Sequence, residues 1–131
     1  MSESAKPEVG EIPWRDLTVP DAPRVREFYE RVVGWTSRGE DMGGYEDYHM
    51  MAPATGSEKS VAGICHARGV NADVPPQWLI YIIVEDVDQS AKTCVELGGQ
   101  IMAGPRAMGG GRFCVIRDPA GAMCALYKPK P

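Results

Sequence analysis

The 131-residue sequence predicts an α+β fold made of two β-α-β-β-β modules. Three observations predict it. The stretch Trp14–Trp35 has the pattern of a strand followed by an amphipathic helix, and the same pattern returns near Leu79. Each copy is then followed by three short strand patterns separated by turn residues. A chain of this length can bury one sizeable core, so we expect a single domain.

The first strand and helix lie between Trp14 and Trp35. Leu17 and Val19 alternate with polar neighbours, which is typical of a strand with one apolar face. Asp21 is placed to cap the helix, and Gly34 is placed to end it in the left-handed conformation that glycine tolerates. The helix has apolar residues at spacings that predict one buried face, namely Val25, Phe28, Tyr29, Val32 and Val33.

The second copy begins with a strand pattern at Trp78–Val84, followed by Asp86 as a helix cap. Its helix has an apolar stripe and ends at Gly98-Gly99; the stripe consists of Val87, Ala91, Cys94 and Val95. A gap-free superposition of the two copies pairs Val19 with Val84, Asp21 with Asp86 and Gly34 with Gly99. The order of strand, acidic cap, helix and glycine therefore repeats after about half the chain.

Turn residues divide the rest of each half into strands. The first half has strand patterns after Trp35, at Tyr45–Met51 and at Ser60–Ala67, with a turn at Gly39–Gly44 and a polar hairpin loop at Pro53–Lys59. The second half has them at Gln100–Met102, Arg112–Arg117 and Ala122–Tyr127. The glycine-rich segment Gly104–Gly111 lacks the Lys-Ser/Thr ending of a phosphate loop, so we interpret it as a flexible hairpin connection.

These patterns predict a polar N-terminal tail at residues 1–10 and one domain at residues 11–131. Within that domain we place module one at residues 12–67 and module two at residues 77–128. The segment between them, residues 68–76, ends in consecutive prolines and is interpreted as a linker.

Composition excludes several classes of function. The net charge of -4 and the pI of about 5.2 give no overall attraction to nucleic acid or to anionic membranes. No apolar run is long enough to span a bilayer or to serve as a signal peptide, so we expect a cytoplasmic protein. The four cysteines show no C-x-x-C spacing, and we interpret them as small buried hydrophobes in a reducing compartment.

Several motifs of the sequence resemble the vicinal oxygen chelate superfamily of glyoxalases, bleomycin resistance proteins and dioxygenases. The motifs are Leu17-Thr18-Val19-Pro20-Asp21, Phe28-Tyr29 with Val33-Gly34-Trp35, Val84-Glu85-Asp86-Val87, Leu97-Gly98-Gly99 and Asp118-Pro119-Ala120-Gly121. The resemblance covers Ile12 to Lys128 and implies that the two modules form a cupped mixed sheet with helices on the convex face. It also implies a homodimer, as in many relatives.

In enzymes of this superfamily, His, Glu or Gln side chains hold a divalent metal ion in the cup. The resemblance places the four ligand positions of this chain at Trp14, Gly63, Leu79 and Ala125, and none of these residues can coordinate a metal. We therefore predict no metal and no cofactor. A cup lined by such residues is suited to an apolar or aromatic ligand, and the predicted ligand-binding residues are Trp14, Asp16, Leu79, Tyr81, Ala125 and Tyr127.

Two residues are candidates for catalysis. Asp16 should share the inward face of its strand with Trp14, where it could act as a base or pair with an arginine such as Arg106 or Arg112. His49 is the other candidate, although the pattern does not fix which way it points. The second histidine, His66, should lie on the strand face opposite Gly63 and so point away from the cup.

The sequence thus predicts a metal-independent small-molecule-binding protein. The first alternative is a lyase, an isomerase or a dioxygenase-related enzyme that uses Asp16 and His49 for proton transfer or has a relocated metal site. A second alternative is an interaction protein whose cup is filled by its own side chains. A ligand that raises the melting temperature would distinguish the binding protein from the second alternative.

Overall fold

The computed structural model describes residues 6–53 and 59–131 and has the predicted α+β fold. Two β-α-β-β-β modules follow one another along the chain. The first contains β1 (Trp14–Val19), α1 (Ala22–Val33), β2 (Thr36–Asp41), β3 (Glu46–Met51) and β4 (Ser60–His66). The second contains β5 (Trp78–Ile83), α2 (Val87–Glu96), β6 (Gln100–Met108), β7 (Gly111–Arg117) and β8 (Met123–Lys128). The centre of the predicted hairpin loop, residues 54–58, lies outside the described residues.

The chain divides into two compact units. The first unit comprises Arg15–Trp78. Its strands are ordered β2-β3-β4-β1, with β1 parallel to β4 and the other pairs antiparallel. Helix α1 packs on one face of this sheet, and the buried core there consists of Leu17, Val19, Ala22, Met50, Ala62 and Ile64.

The second unit comprises Leu79–Pro131 together with residues 6–14. Its strands are ordered β5-β8-β7-β6, again with one parallel pair, β5 with β8. Backbone hydrogen bonds join Gly10 and Glu11 to Ile83, which attaches the N-terminal segment to β5. The core under α2 consists of Val87, Ala91, Cys114 and Leu126.

The predicted helix caps are present. The side chains of Asp21 and Asp86 accept hydrogen bonds from the backbone N–H groups of Arg24 (3.4 Å) and Gln89 (3.0 Å). Gly34 has a φ of 82° after α1. The left-handed glycine after α2 is Gly98, with a φ of 96°, and not Gly99 as the superposition of the copies suggested. Helix α2 is shorter than α1, so its chain reverses one residue earlier.

The apolar stripe predicted for α1 is only partly correct. Phe28, Val32 and Val33 are exposed, by 55%, 62% and 52%. The helix instead turns Ala22, with Val25 and Tyr29, towards the sheet. In α2 the first half of the stripe is buried as predicted, but Val95 is exposed.

The segment Gly104–Gly111 is not a loop over its whole length. Strand β6 continues to Met108, and the register of its pairing with β7 shifts between Ala103 and Arg106. Gly104 lies in this irregularity with a φ of 78°, where a Cβ atom would stand 2.8 Å from the Phe113 carbonyl oxygen. The glycine thus allows a bulge within a strand rather than a turn. Strand β2 likewise continues through Gly39 to Asp41.

Candidate functional site

In each unit, the four strands have one side that packs against the unit's helix and an opposite side. Because side chains alternate along a strand, Asp16 and Thr18 point away from α1 when Leu17 and Val19 point towards it. We call this side of the first unit the polar face; its residues are Asp16, Thr18, Glu40, Asp47, His49, Ser60 and Cys65. The corresponding side of the second unit is the aromatic face; its residues are Leu79, Tyr81, Phe113, Val115, Ala125 and Tyr127.

Asp16 and His49 lie on the polar face on either side of Gly63. Gly63 is the register partner of Asp16 on β1 and of His49 on β3. Two strand spacings place the Cα atoms of Asp16 and His49 about 10 Å apart. The pairing therefore fixes the orientation of His49, which the sequence left open. Asp16 itself is 9% exposed.

The imidazole of His49 contacts residues of both neighbouring strands. Its Nε2 lies 2.5 Å from Oε1 of Glu40 on β2, and its Nδ1 lies 3.4 Å from the Ser60 hydroxyl on β4. A carboxylate accepts only, so it selects the tautomer in which Nε2 carries the proton and Nδ1 offers a lone pair. Glu40 thus orients His49 and leaves Nδ1 facing Ser60.

Asp47 connects two further side chains. Its Oδ1 accepts a hydrogen bond from the His66 backbone N–H at 2.9 Å and lies 3.2 Å from Nδ1 of the same histidine. His66 is the register partner of Val19, on the side of β4 expected from the sequence, but at the strand end its imidazole still reaches Asp47. Burial, followed by the charges of Asp16 and Asp47, raises the pKa of the Cys65 thiol far above its ordinary value. Cys65 is therefore a poor nucleophile.

The second unit brings four of the predicted ligand-binding residues onto one face. Tyr81 is the register partner of Ala125, and Tyr127 lies two residues further along β8. Phe113 stacks on Tyr81 with ring centroids 6.0 Å apart, and Tyr127 contacts Tyr81 edge-on at 6.4 Å. Leu79, Tyr81 and Ala125 are buried, whereas Tyr127 remains half-buried. Trp14 belongs to this unit as well, at the start of β1.

The resemblance assigns the metal-ligand positions to Trp14, Gly63, Leu79 and Ala125, whose side chains have no donor atoms suited to a metal. Repeat equivalence pairs Asp16 with Tyr81, and their parallel-strand partners are Gly63 and Ala125. Gly63 is thus the structural counterpart of Ala125, and neither has a ligating side chain. Within residues 6–53 and 59–131, no group of three His, Cys, Asp or Glu side chains is arranged to hold a metal ion. The described residues do not fit the superfamily's metal.

Arg112, named from the sequence as a partner for Asp16, has another partner. It donates two hydrogen bonds of 2.9 Å to the carboxylate of Asp88 at the start of α2. This contact holds the pKa of Asp88 below its ordinary value. Arg112 is therefore on the helix side of its sheet. Arg106, the other named arginine, has its guanidinium 5.2 Å from the ring centre of Phe113.

The cysteines are all free thiols, as expected. Only Cys114 is fully buried; the other three are half-buried, because each lies near the end of its element or towards the sheet edge. Burial raises the pKa of Cys114 to about 11. No thiol whose pKa is shifted in this way is suited to nucleophilic chemistry near neutral pH.

Three residues of the two faces were missed from the sequence: Glu40, Ser60 and Phe113. Glu40 lies where the sequence suggested a turn, so the alternation of Arg38 and Glu40 was not taken as evidence for a strand. Phe113 lies two residues from Val115 in a predicted strand, and its aromatic side chain was a usable signal. Ser60 begins its strand, and nothing in the sequence places its hydroxyl beside His49.

Comparison with known proteins agrees with this geometry. The family model described as Glyoxalase/Bleomycin resistance protein/Dioxygenase superfamily matches residues 11–126. The chain belongs to this superfamily. The putative glyoxylase CFP32 of Mycobacterium tuberculosis is 30% identical over 125 residues, which are 95% of this chain and 46% of that protein. The anthracycline biosynthesis protein DnrV of Streptomyces peucetius is 28% identical, over 88% of this chain and 46% of that protein.

The superfamily member thus spans about half the length of these curated relatives. Among solved structures, methylmalonyl-CoA epimerase of Streptomyces coelicolor, in complex with 2-nitronate-propionyl-CoA, has a TM-score of 0.54 and 16% identity, covering 95% of this chain and all of that one. The epimerase of Mycobacterium tuberculosis has a TM-score of 0.52 and 16% identity, covering 98% and 95%. At this identity the likeness concerns the fold. Searching the described residues finds no helix with the length and apolarity to cross a membrane.

Proposed function

We propose that this superfamily member binds an apolar or aromatic small molecule without using the superfamily's metal. The observation that carries the proposal is the aromatic face, where Leu79 and Ala125, which the resemblance places at metal-ligand positions, have aromatic neighbours. Burying apolar ligand surface against such a face contributes roughly 25 cal/mol per Å². The proposed ligand-binding residues are Leu79, Tyr81, Ala125 and Tyr127 of this face and Trp14 of the same unit. Asp16, also predicted from the sequence, lies on the polar face of the first unit and stays a prediction.

Within this face the side chains would have different tasks. Leu79 and Ala125 are fully buried, and the stacked rings of Tyr81 and Phe113 are only 7% and 1% exposed, so these four side chains form the apolar interior of the face. Tyr127 is the partly accessible member, and its hydroxyl donates to the Met108 carbonyl at 3.4 Å. An entering ligand would therefore meet Tyr127 first, so this residue is the best position for a test.

The experiment combines identification of the ligand with a measurement of its binding. Small molecules that co-purify with the protein are identified by mass spectrometry and added back in a thermal unfolding assay, before and after dialysis against EDTA. We expect a rise in melting temperature that EDTA leaves unchanged, and a loss of affinity of about tenfold or more in Tyr127→Ala because a large contact is removed. Tyr45→Ala, in the first unit, is the control and should keep the affinity.

Two outcomes would contradict the proposal. Stoichiometric, tightly held metal whose removal abolishes ligand binding would place a metal in the site. If no apolar or aromatic compound, including those that co-purify, changes the melting temperature, the face has a structural role only, as in the predicted interaction protein.

A second candidate function is a lyase or isomerase that moves a proton with Asp16 and His49. The favouring observation is their position on one face, on either side of Gly63, with His49 oriented by Glu40. A substrate above Gly63 could meet a carboxylate on one side and an imidazole on the other. Asp16→Asn and His49→Gln would be compared with the wild type on a panel of small carbonyl and aromatic compounds. Unchanged turnover in both variants would remove this candidate.

The homodimer and the cytoplasmic location expected from the sequence stay part of the proposal. Sedimentation equilibrium of the purified chain measures the first, and fractionation of the source cells measures the second.

A further inference from the structure

The polar face contains a line of three side chains that the proposed ligand site does not use. Glu40 lies on β2, His49 on β3 and Ser60 on β4, so the line crosses three neighbouring strands. The distances are 2.5 Å from Glu40 Oε1 to His49 Nε2 and 3.4 Å from His49 Nδ1 to Ser60 Oγ. A carboxylate, an imidazole and a hydroxyl are thus connected in that order.

We propose that Ser60, His49 and Glu40 form a nucleophilic triad that hydrolyses small carboxylic esters. A serine hydroxyl is a weak nucleophile until a base takes its proton, and the base works when a third group fixes its tautomer. Here Glu40 accepts a hydrogen bond from Nε2–H, so Nδ1 keeps its lone pair and lies 3.4 Å from Ser60 Oγ. The roles of the two ring nitrogens are exchanged relative to serine proteases, but their chemistry is the same.

The position of the triad suits a reaction with water. His49 is 29% exposed and Glu40 is 55% exposed at the side-chain level, so the imidazole is open to solvent beside the half-buried Ser60. The Ser60 hydroxyl also donates a weak hydrogen bond to the sulfur of Met51 at 3.6 Å, so its proton turns from Met51 to His49 Nδ1 when the triad acts. A short, unhindered ester is therefore the substrate class that this surface can accept.

Two steps complete the reaction. In the first, Ser60 Oγ forms a bond to the ester carbonyl carbon while its proton passes to His49 Nδ1; the carbon–oxygen bond to the alcohol then breaks, and the alcohol leaves with that proton. In the second, water gives a proton to His49 and its oxygen attacks the acyl-serine. The carboxylic acid leaves, and the proton returns from His49 to Ser60 Oγ. Water is the only co-reactant.

Arg38 is the cation best placed to stabilise the negative charge that develops on the carbonyl oxygen. It is the direct cross-strand partner of His49 on β2 and is exposed to solvent. Directly opposed residues of antiparallel strands have Cβ atoms about 5 Å apart, so the guanidinium can reach over the imidazole. Arg38 thus adds electrostatic stabilisation to the triad, which is commonly the largest single contribution to such catalysis.

The test measures both turnover and the covalent intermediate on the full chain. With p-nitrophenyl acetate we expect wild-type hydrolysis to exceed that of Ser60→Ala by about 100-fold or more in kcat, the scale of general acid–base and nucleophilic catalysis. A fluorophosphonate probe should label one residue, and peptide mass spectrometry should locate the label on Ser60. Glu40→Gln should lower kcat with little change in KM, because an amide can present a donor as well as an acceptor to Nε2 and so no longer fixes the tautomer.

Ser37→Ala is the matched control. Ser37 also lies on a strand, but its hydroxyl donates to Glu30 at 2.6 Å on the helix side, so its loss should leave hydrolysis and labelling unchanged. Equal hydrolysis in wild type and Ser60→Ala, or a label that never reaches Ser60, would overturn the triad. Ser60→Ala should keep the ligand-induced rise in melting temperature, so failure of the triad is distinguishable from failure of the aromatic ligand site.

Discussion

The polar face and the aromatic face occupy the same place in their modules, opposite the helix. Their side chains differ in polarity, since the first has ionisable groups and the second has aromatic and aliphatic ones. At repeat-equivalent positions the first has Asp16 and the second has Tyr81, and both side chains are nearly buried. Their register partners, Gly63 and Ala125, are both small. The two modules therefore share a backbone plan without sharing the surface that this plan presents.

The comparison separates two kinds of constraint on the repeat. The side of each sheet that meets a helix must be apolar in both modules, since the core depends on it, and the caps Asp21 and Asp86 serve the same unpaired N–H groups in both. The opposite face does not pack against the helix of its module, so it need not be apolar in both modules. One module could therefore keep ionisable side chains there while the other acquired aromatic rings.

The largest effect should follow from removing the central ring of the aromatic face. Phe113 is 1% exposed and stacks on Tyr81, so Phe113→Ala should lower the free energy of unfolding by about 3–5 kcal/mol. On the polar face, His49→Ala should cost less than about 1 kcal/mol, because the imidazole is partly exposed and its bonds are exchanged for water. Urea unfolding measures both. Similar losses would mean that the two faces are equally structural.

A smaller effect is expected at Asp47, a polar-face residue whose carboxylate accepts a hydrogen bond from the backbone of β4. Asp47→Ala leaves the His66 N–H without its acceptor and should cost about 1–3 kcal/mol. Asp47→Asn keeps an acceptor oxygen and should cost less. Both variants remove a charge that raises the pKa of Cys65, so its alkylation should become faster in both. A stability loss in the alanine variant with unchanged thiol reactivity would contradict this account of the cluster.

The sequence was sufficient for most of the fold because the fold depends on local signals. Alternation predicted β1 and β5, and Asp21 and Asp86 marked the helix starts. The sequence-based prediction was wrong where tertiary contacts determine the structure. The exposure of Phe28 and the bulge at Gly104 follow from packing and strand pairing rather than from a local pattern. From the sequence alone, a glycine predicts a turn, whether in the structure it lies in a loop or in a β-bulge.

The faces were less predictable because they depend on register. The sequence placed Asp16 and Tyr81 on an inward face, since they lie two residues beyond Trp14 and Leu79, which the resemblance assigns to the cup. It could not orient His49, whose strand follows a turn of uncertain length, and one residue of slip reverses the face of every side chain. The contact of His49 with Glu40 and Ser60 needs three strands in register, which no local pattern specifies.

The smallest effect should come from a contact that belongs to neither face. Asp88 and Arg112 join α2 to β7 on the exposed helix side, so Asp88→Asn should lower stability only slightly near neutral pH. Arg112 holds the pKa of Asp88 below its ordinary value of 3.8, so the folded state favours the charged carboxylate. The contribution is therefore present above the unfolded pKa and is lost as pH falls through the folded one. Urea midpoints should differ between wild type and Asp88→Asn near neutral pH and converge in acid. Arg112→Ala should show the same convergence, and a difference that persists in acid would assign the effect to packing rather than charge.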